Sequence, residues 1–561
     1  MNLRRLLLIA FVFSGMAALI YEIVWIRPLQ YILGSTIYTI SIIFAAFMLG
    51  LALGSWIISK YVDKIENLPR TYALMELGIG LYGVLLISIF NFIPSIYRAL
   101  FNLNGNFYIF EFTQLILSFA ILIIPTALMG ATFPIIAKFY TKEKIGKGIG
   151  EIYSANNIGA IIGSFAAGFI LIPLIGIKAT IIFAGVINLF VGSLILFTSS
   201  KNLAKKVIPI SIIIFILLAT FGNYNIHKLY VGGFNRAAFP EEVVEQTKIL
   251  FYKEGLHASV NVAEENEALI FLINGYGQGS TFLEDTRVNF LLAYLPVLIK
   301  PQAENALVIG LGTGTTSGHL NEFVKTTTVE IEPVVVEASK YFWFVNRNIT
   351  ENKNHNLIID DARNYLLRNK EKYDFIVSEP TNTWQSFSTS LFSKEFFHLI
   401  NEDLKEDGLY LQWIPTYDFT PQDFKNFYKT FNSEFPYVIA FVNLKEEQFG
   451  LLPSEIILIG SKSPINYENI EKNFDSLPDF SKDSFEKIGI NSVDTILNLM
   501  IFTNEELKGY ADKARIVTDD NALLEFSTAK NTLSISPYEA IEDINKFILS
   551  KEGKWNLTKE E

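Results

Sequence analysis

The sequence predicts an all-α transmembrane bundle of about seven spans, followed by an α/β, Rossmann-like domain that opens with a β-hairpin region. Three observations carry this. Residues 1–222 are long apolar runs with few charges. Beyond about 228 the chain breaks into short alternating segments and then into a strand–helix rhythm. The charge balance also reverses. Residues 1–222 hold 15 Lys/Arg and 7 Asp/Glu, net +8, and residues 223–561 hold 31 and 50, net −19, which sum to the −11 of the whole chain. Two solvents are implied, lipid first and water second. The expected domains are a multi-pass region over 1–225, a β-strand region over 226–285, a Rossmann-like region over 286–545 and a tail over 546–561.

A spanning helix needs about 20 mostly apolar residues. Seven stretches qualify: 5–26, 37–59, 71–93, 113–137, 151–176, 179–199 and 207–222. The first is too long for a cleaved signal, carries Glu22 and runs at once into further spans. Taking alternate loops, one side carries Arg4, Arg5, Lys60, Lys64, Arg70, Lys138, Lys142, Lys144, Lys147, Lys201, Lys205 and Lys206, and the other Arg27, Arg98 and Lys178. Positive loops stay inside, so the amino terminus is expected in the cytoplasm of a cell-membrane protein. Seven spans would put the soluble domain outside. If 207–222, the shortest stretch, lies in the interface instead, that domain returns to the cytoplasm, so its side stays open. Gly50 and Gly54 in GLALG, and Gly159 and Gly163 in GAIIG, have the spacing that lets helix backbones approach closely. Glu22 and Glu76 are carboxyls within spans, where such groups are costly and mark either an interface or a relay.

The acidic soluble half lacks the basic footprint that nucleic acid needs. It suits a cationic substrate, as well as plain solubility. There is no cysteine, so disulfides and thiolate chemistry are excluded. The five histidines are scattered without metal-ligand spacing, which argues against a metal enzyme.

The soluble half begins with KILFYKEGLHASVNVAEENEALIFLINGYGQGS, which reads as short strands and hairpins. NALVIGLG, TTTVEIEP, NLIIDDA, YDFIVSEP and GLYLQWIP then read as strands, with helices expected over 314–323, 333–345, 361–369 and 392–404. Alternating β and α means a mostly parallel, doubly wound sheet. Its first strand ends in Gly310-Leu-Gly312-Thr-Gly314. A phosphate-binding P-loop would need a lysine that is absent, and the dinucleotide fingerprint would need glycine where Thr315 stands. GxGxG with Glu330 closing the second strand points to an S-adenosylmethionine-like ligand, because a carboxylate there accepts from both ribose hydroxyls. The alternative is a tight strand–helix turn beside a solvated acid. Asp361 has two readings, acceptor for an adenine amino group or N-cap of the next helix. VSEPTNTW, closing the fourth strand, puts Glu379 and Asn382 on the loop facing the reacting end of such a ligand; the alternative is a turn after a strand, with Trp384 as a packing lid. A carboxylate there can hold and deprotonate an amine.

In order and spacing, NGYGQGS, ALVIGLGTG, VEIEP, IIDDARNYL, YDFIVSEP, SLFSKEFF and GLYLQW resemble the spermidine synthase (aminopropyltransferase) family over about 246–445. The preceding spans, with FSGMAALIYEIVW and AAFMLGLALGS, resemble bacterial multi-pass membrane proteins fused to such a domain. The resemblance implies an S-adenosylmethionine-dependent-transferase-type fold. It also implies transfer of an aminopropyl group from decarboxylated S-adenosylmethionine to a small amine, with the donor as co-substrate and no tightly bound cofactor. It places Gln278, Gly310, Gly312, Gly314, Glu330 and Asp361 at the donor. Glu379 is then the base and Asn382 orients the acceptor. A homodimer through the soluble domain and the lipid bilayer are the implied partners. Three departures stand out. Thr313 replaces the Asp that binds the donor's amino group, and Glu379 and Asn382 replace the two Asp residues that grip the amine. A charge pair at 4 Å is worth about 4 kcal/mol at an effective dielectric near 20, so losing one charge changes the acceptor site. Two rival readings are a methyltransferase on the same fold, using intact S-adenosylmethionine, and a transporter or sensor whose soluble domain binds a polyamine or nucleoside.

Overall fold

The computed structural model describes residues 3–101, 107–141, 145–231, 246–386, 388–447, 450–531 and 539–552. Lys142, Lys144 and the tail from 553 onward lie outside them. Chain contacts divide the molecule into two compact units, Met1–Thr247 with Tyr252–Ser259, and Lys248–Phe251 with Val260–Glu561.

The first unit holds α1 (Leu3–Leu33), α2 (Ile37–Ser59), α3 (Leu68–Ile89), α4 (Ile93–Phe101), α5 (Phe107–Tyr140), α6 (Ile145–Ala166), α7 (Ile172–Ser199), α8 (Lys201–Phe221) and the short α9 (Ile226–Val231). Among the described residues, six helical stretches are long and apolar enough to cross a membrane, and one of them, Ile145–Ser199, is 55 residues long. At 1.5 Å per residue that stretch would run to about 80 Å, far beyond the roughly 30 Å of hydrocarbon. Its break is Gly176, whose φ of 75° and ψ of 174° leave the helical region.

Close approaches give the helix directions. Gly159 and Gly163 of α6 press on the carbonyls of Val12 and Met16, so α6 runs parallel to α1. Ser14 meets Glu76, and Tyr21 meets Gly83, so α3 is also parallel to α1. Asn188 reaches Glu76 while Gly192 faces Ala73 and Leu77, so α7 is antiparallel to α3. The chain therefore reverses between α6 and α7, so the six stretches comprise seven long helical segments, at nearly the boundaries expected. Gly222 sits beside Ile87, and Phe215 beside Gly185, so α8 lies alongside α3 and α7. Of α8, only Ala204, Ser211 and Phe215 are buried against the bundle, and most of its apolar side chains face outward. The two small-residue motifs act as expected. A Cβ on Gly159 would stand 1.9 Å from the Val12 carbonyl oxygen, and one on Gly54 1.9 Å from that of Ala127.

In the second unit, strands β1 (Lys248–Glu254), β2 (Ser259–Glu265), β3 (Ala268–Ile273) and β4 (Tyr276–Ser280) form a sheet in that order. The main sheet has eight strands. β5 (Asn305–Ile309), β6 (Lys325–Glu330), β7 (Asn356–Ile359), β8 (Tyr373–Ser378) and β9 (Leu404–Ile414) pair in parallel with one another. β10 (Tyr437–Glu447), β11 (Gly450–Ser461) and β12 (Met500–Thr503) add antiparallel pairings. The order is β12-β10-β11-β9-β8-β5-β6-β7. From β5 the chain first winds one way to β6 and β7, then returns to the other side for β8 and β9. The crevice at such a switch, beyond the strands' carboxyl ends, is where open α/β sheets bind ligands.

Local chemistry sets the elements. β8 is buried at every position, and YDFIVS is suited to a strand covered on both faces. The helix Pro421–Glu434 starts with a capping box, Thr420 and Asp423 each satisfying the other's backbone N–H. Its Phe427, Phe431 and the following Phe435 pack with Phe397 and Tyr410 in the main core.

Candidate active site

The glycine loop leaves β5 with positive φ at three places, 88° at Gly310, 52° at Gly312 and 82° at Gly314. A Cβ on Gly310 would lie 3.3 Å from the Glu379 carbonyl oxygen, whereas one on Gly312 would meet nothing within 4 Å. The loop thus packs on β8 at one end and faces open space at its tip. Gly314 caps the short helix Thr315–Leu320.

Glu330 closes β6 and turns inward. Its two carboxylate oxygens accept from the backbone N–H of Leu311 (2.8 Å) and of Glu332 (2.9 Å). Burial pushes its pKa up, and these N–H groups pull it back. Glu330 therefore braces the glycine loop, and each oxygen keeps a further lone pair. Gln278, on β4, has a buried Nε2 with no partner among the described residues, a donor free for a ligand's acceptor. Asp361 caps the helix Ala362–Arg368 by accepting from Asn364 N at 2.9 Å. The Thr313 hydroxyl bonds that of Thr315 at 2.8 Å.

Glu379 follows β8. Its Oε1 accepts from Asn289 Nδ2 (3.2 Å) and its Oε2 from the Thr316 hydroxyl (3.1 Å). Burial, with the negative charge of Asp285, pushes its pKa up to about 7, against the lowering effect of these two donors. Asn382 is buried, and its Oδ1 accepts from the Tyr417 hydroxyl at 3.0 Å. Tyr276 hydrogen-bonds the same side chain. Trp384 is fully buried, meets the Tyr276 ring edge-on at 4.7 Å between centroids, and hydrogen-bonds Asp418.

Three further carboxyls gather here that sequence reasoning missed. Asp418 follows β9, and burial pushes it up to about 8. Glu455 lies on β11 and accepts from Asn443 Nδ2 at 2.8 Å. Burial, then the charges of Asp285 and Glu379, push it up to about 8. Asp285 opens the helix Leu283–Ile299 and accepts from the Ser280 hydroxyl at 2.6 Å. These acids are scattered from 285 to 455, so no local motif could have grouped them. Among the described residues, no lysine or arginine offsets Glu379, Asp418 or Glu455. The rings of Tyr276, Trp384 and Tyr417 lie beside these acids. No group of three or more His, Asp or Glu among the described residues is arranged to hold a metal.

A largely parallel sheet with a glycine loop and a carboxylate at its switch point is suited to binding a small molecule, and comparison with known proteins narrows it. Residues 286–444 match the sequence model of the spermine/spermidine synthase domain, and residues 6–235 match that of the Major Facilitator Superfamily. The soluble half is thus similar to spermidine synthase domains and the apolar half to a multi-pass membrane family. It is similar to polyamine aminopropyltransferase 2 of Aquifex aeolicus, 24% identical over 482 residues that cover 84% of this chain and 90% of the relative. It is also similar to the polyamine aminopropyltransferase of Oceanobacillus iheyensis, 22% identical over 412 residues, covering 70% and 74%. Among solved structures, spermidine synthase from Thermotoga maritima aligns with 19% identity and a TM-score of 0.36, covering 43% of this chain and 88% of that one.

Proposed function

We propose that the protein is a membrane-anchored aminopropyltransferase of the spermidine synthase type, moving an aminopropyl group from decarboxylated S-adenosylmethionine to a polyamine-like amine. The observation that carries this is the placement of Glu379, beside the glycine loop and within an aromatic-walled group of four carboxyls. Glu379 takes the proton of the acceptor ammonium. The freed nitrogen lone pair attacks the carbon bonded to the donor's sulfonium, the C–S bond breaks, and methylthioadenosine leaves with the electron pair. Gln278, the glycine loop and Glu330 hold the donor, and Asn382, fixed by two tyrosines, lines the acceptor's path.

The missing second Asp of the reaction-facing loop is compensated by Asp285, Asp418 and Glu455, brought in from other elements. A crowd of acids repels a carboxylate, which favours the decarboxylated donor over intact S-adenosylmethionine. The positive loops support a cytoplasmic amino terminus, and seven crossings would set the soluble domain on the outer face.

The test uses the purified full chain with the decarboxylated donor and a diamine, following methylthioadenosine release. Transfer with the decarboxylated donor and none with the intact one is the expected result. Donor binding without transfer to any amine refutes the reading. Calorimetry with methylthioadenosine on Glu330→Ala checks the donor site. Its affinity should fall by about 1.5–3 kcal/mol, the worth of hydrogen bonds to a charged group, and an unchanged affinity removes Glu330 from it.

A further inference from the structure

The membrane half contains a polar cluster that the transferase reading leaves unused. Glu76, midway along α3, has no exposed surface. Its Oε1 accepts from the Ser14 hydroxyl of α1 (2.5 Å) and its Oε2 from Asn188 Nδ2 of α7 (2.7 Å), so three helices converge on one carboxyl. The titratable groups facing it are Tyr72 on its own helix and Tyr21 on α1. α7 offers only the amide, and no cation among the described residues offsets it. Around it, Asn188 Oδ1 and the Tyr21 hydroxyl are buried without a partner.

Two facts then need one explanation. An isolated carboxylate inside an apolar bundle is costly unless its charge is neutralised. An amide oxygen left unpaired at the same place is also costly. A proton answers both. The ionised carboxylate accepts from Ser14 and Asn188, with Tyr72 as a third donor. A protonated one carries an O–H that needs an acceptor, and rotation of the Asn188 amide presents its unused Oδ1 in place of the N–H. We propose that Glu76, Ser14 and Asn188 form a reversible proton-binding site in the core of the membrane bundle, which makes this half a proton-responsive unit and not a passive anchor. The site joins α1, α3 and α7, so gain or loss of the proton rewrites the bonds between those helices.

The test treats the full chain, in lipid bilayers, with dicyclohexylcarbodiimide, which adds to protonated carboxyls in apolar surroundings to give an N-acylurea. Peptide mass mapping locates the adduct. The expected result is an adduct on Glu76 whose yield falls about tenfold as pH rises from about 5 to about 9, and none at this position in Glu76→Gln. Asn188→Leu, which removes both amide roles, should move the half-point by about one pH unit. Ser14→Ala serves the same purpose should that variant fail to fold. No adduct on Glu76, or one whose yield is flat with pH, overturns the proposal, as does a half-point unmoved in both variants.

Discussion

Replacing Glu379 with glutamine keeps size and hydrogen bonding and removes the base. The structure gives the expected magnitudes. Burial raises this carboxyl from 4.5 to about 7, so about half of the molecules hold it ionised at neutral pH. An acid whose folded pKa is raised contributes stability that is complete below its unfolded pKa and is lost as pH rises through the folded value. The loss amounts to at most about 3 kcal/mol, from roughly two and a half units at 1.36 kcal/mol each. Wild-type turnover should rise with pH and level off above about 7, as the base becomes ionised. In Glu379→Gln, turnover should fall by about 10²- to 10⁴-fold, the usual worth of general-base catalysis, and the limb near pH 7 should vanish. The variant should unfold at an equal or higher temperature than wild type above pH 7, since the buried charge is gone. Methylthioadenosine release across pH, with thermal unfolding in parallel, reads all three. A variant with full activity, or one that keeps the limb near 7, would show that the base lies elsewhere.

Asn382→Asp restores a second charge to the loop. It should shift preference towards dicationic acceptors, seen as a lower KM for diamines relative to monoamines, and an unchanged ratio would remove Asn382 from the acceptor path. Glu455, raised to about 8 by burial and its acidic neighbours, should make the protein lose stability as pH rises through about 8, by the same linkage. Glu455→Gln should blunt that loss, and in wild type a bound diamine should offset it; melting curves at about pH 9 with and without diamine decide this. For orientation, the chain has no cysteine of its own. A cysteine at exposed Lys353 should react with an impermeant thiol reagent in intact cells and one at Lys205 should not; the reverse pattern would place the soluble domain inside.

Hydropathy and period already mark the membrane helices and the strand–helix alternation, because both are local. Each span must be apolar along its own length, and β5 to β9 are each short apolar runs bounded by turn residues. The Gly310–Gly314 loop, Glu330 at the end of β6 and Glu379 after β8 were equally legible, since a strand's carboxyl end is fixed by its own residues. Tertiary packing decided what those positions do. Glu330 spends its carboxylate on the Leu311 and Glu332 backbone, a use that no spacing discloses, whereas the helix cap formed by Asp361 was one of the two readings of its sequence position. Asp285, Asp418 and Glu455 join Glu379 only because β9 and β11 lie on one side of β8 and the helix Leu283–Ile299 packs close by. In the membrane, Glu76 gains its meaning from Ser14 and Asn188, residues 62 and 112 positions away. Sequence patterning records which surfaces each element must bury. Which charges then share a low-dielectric space depends on how the elements meet, and that sets their protonation and so their chemistry.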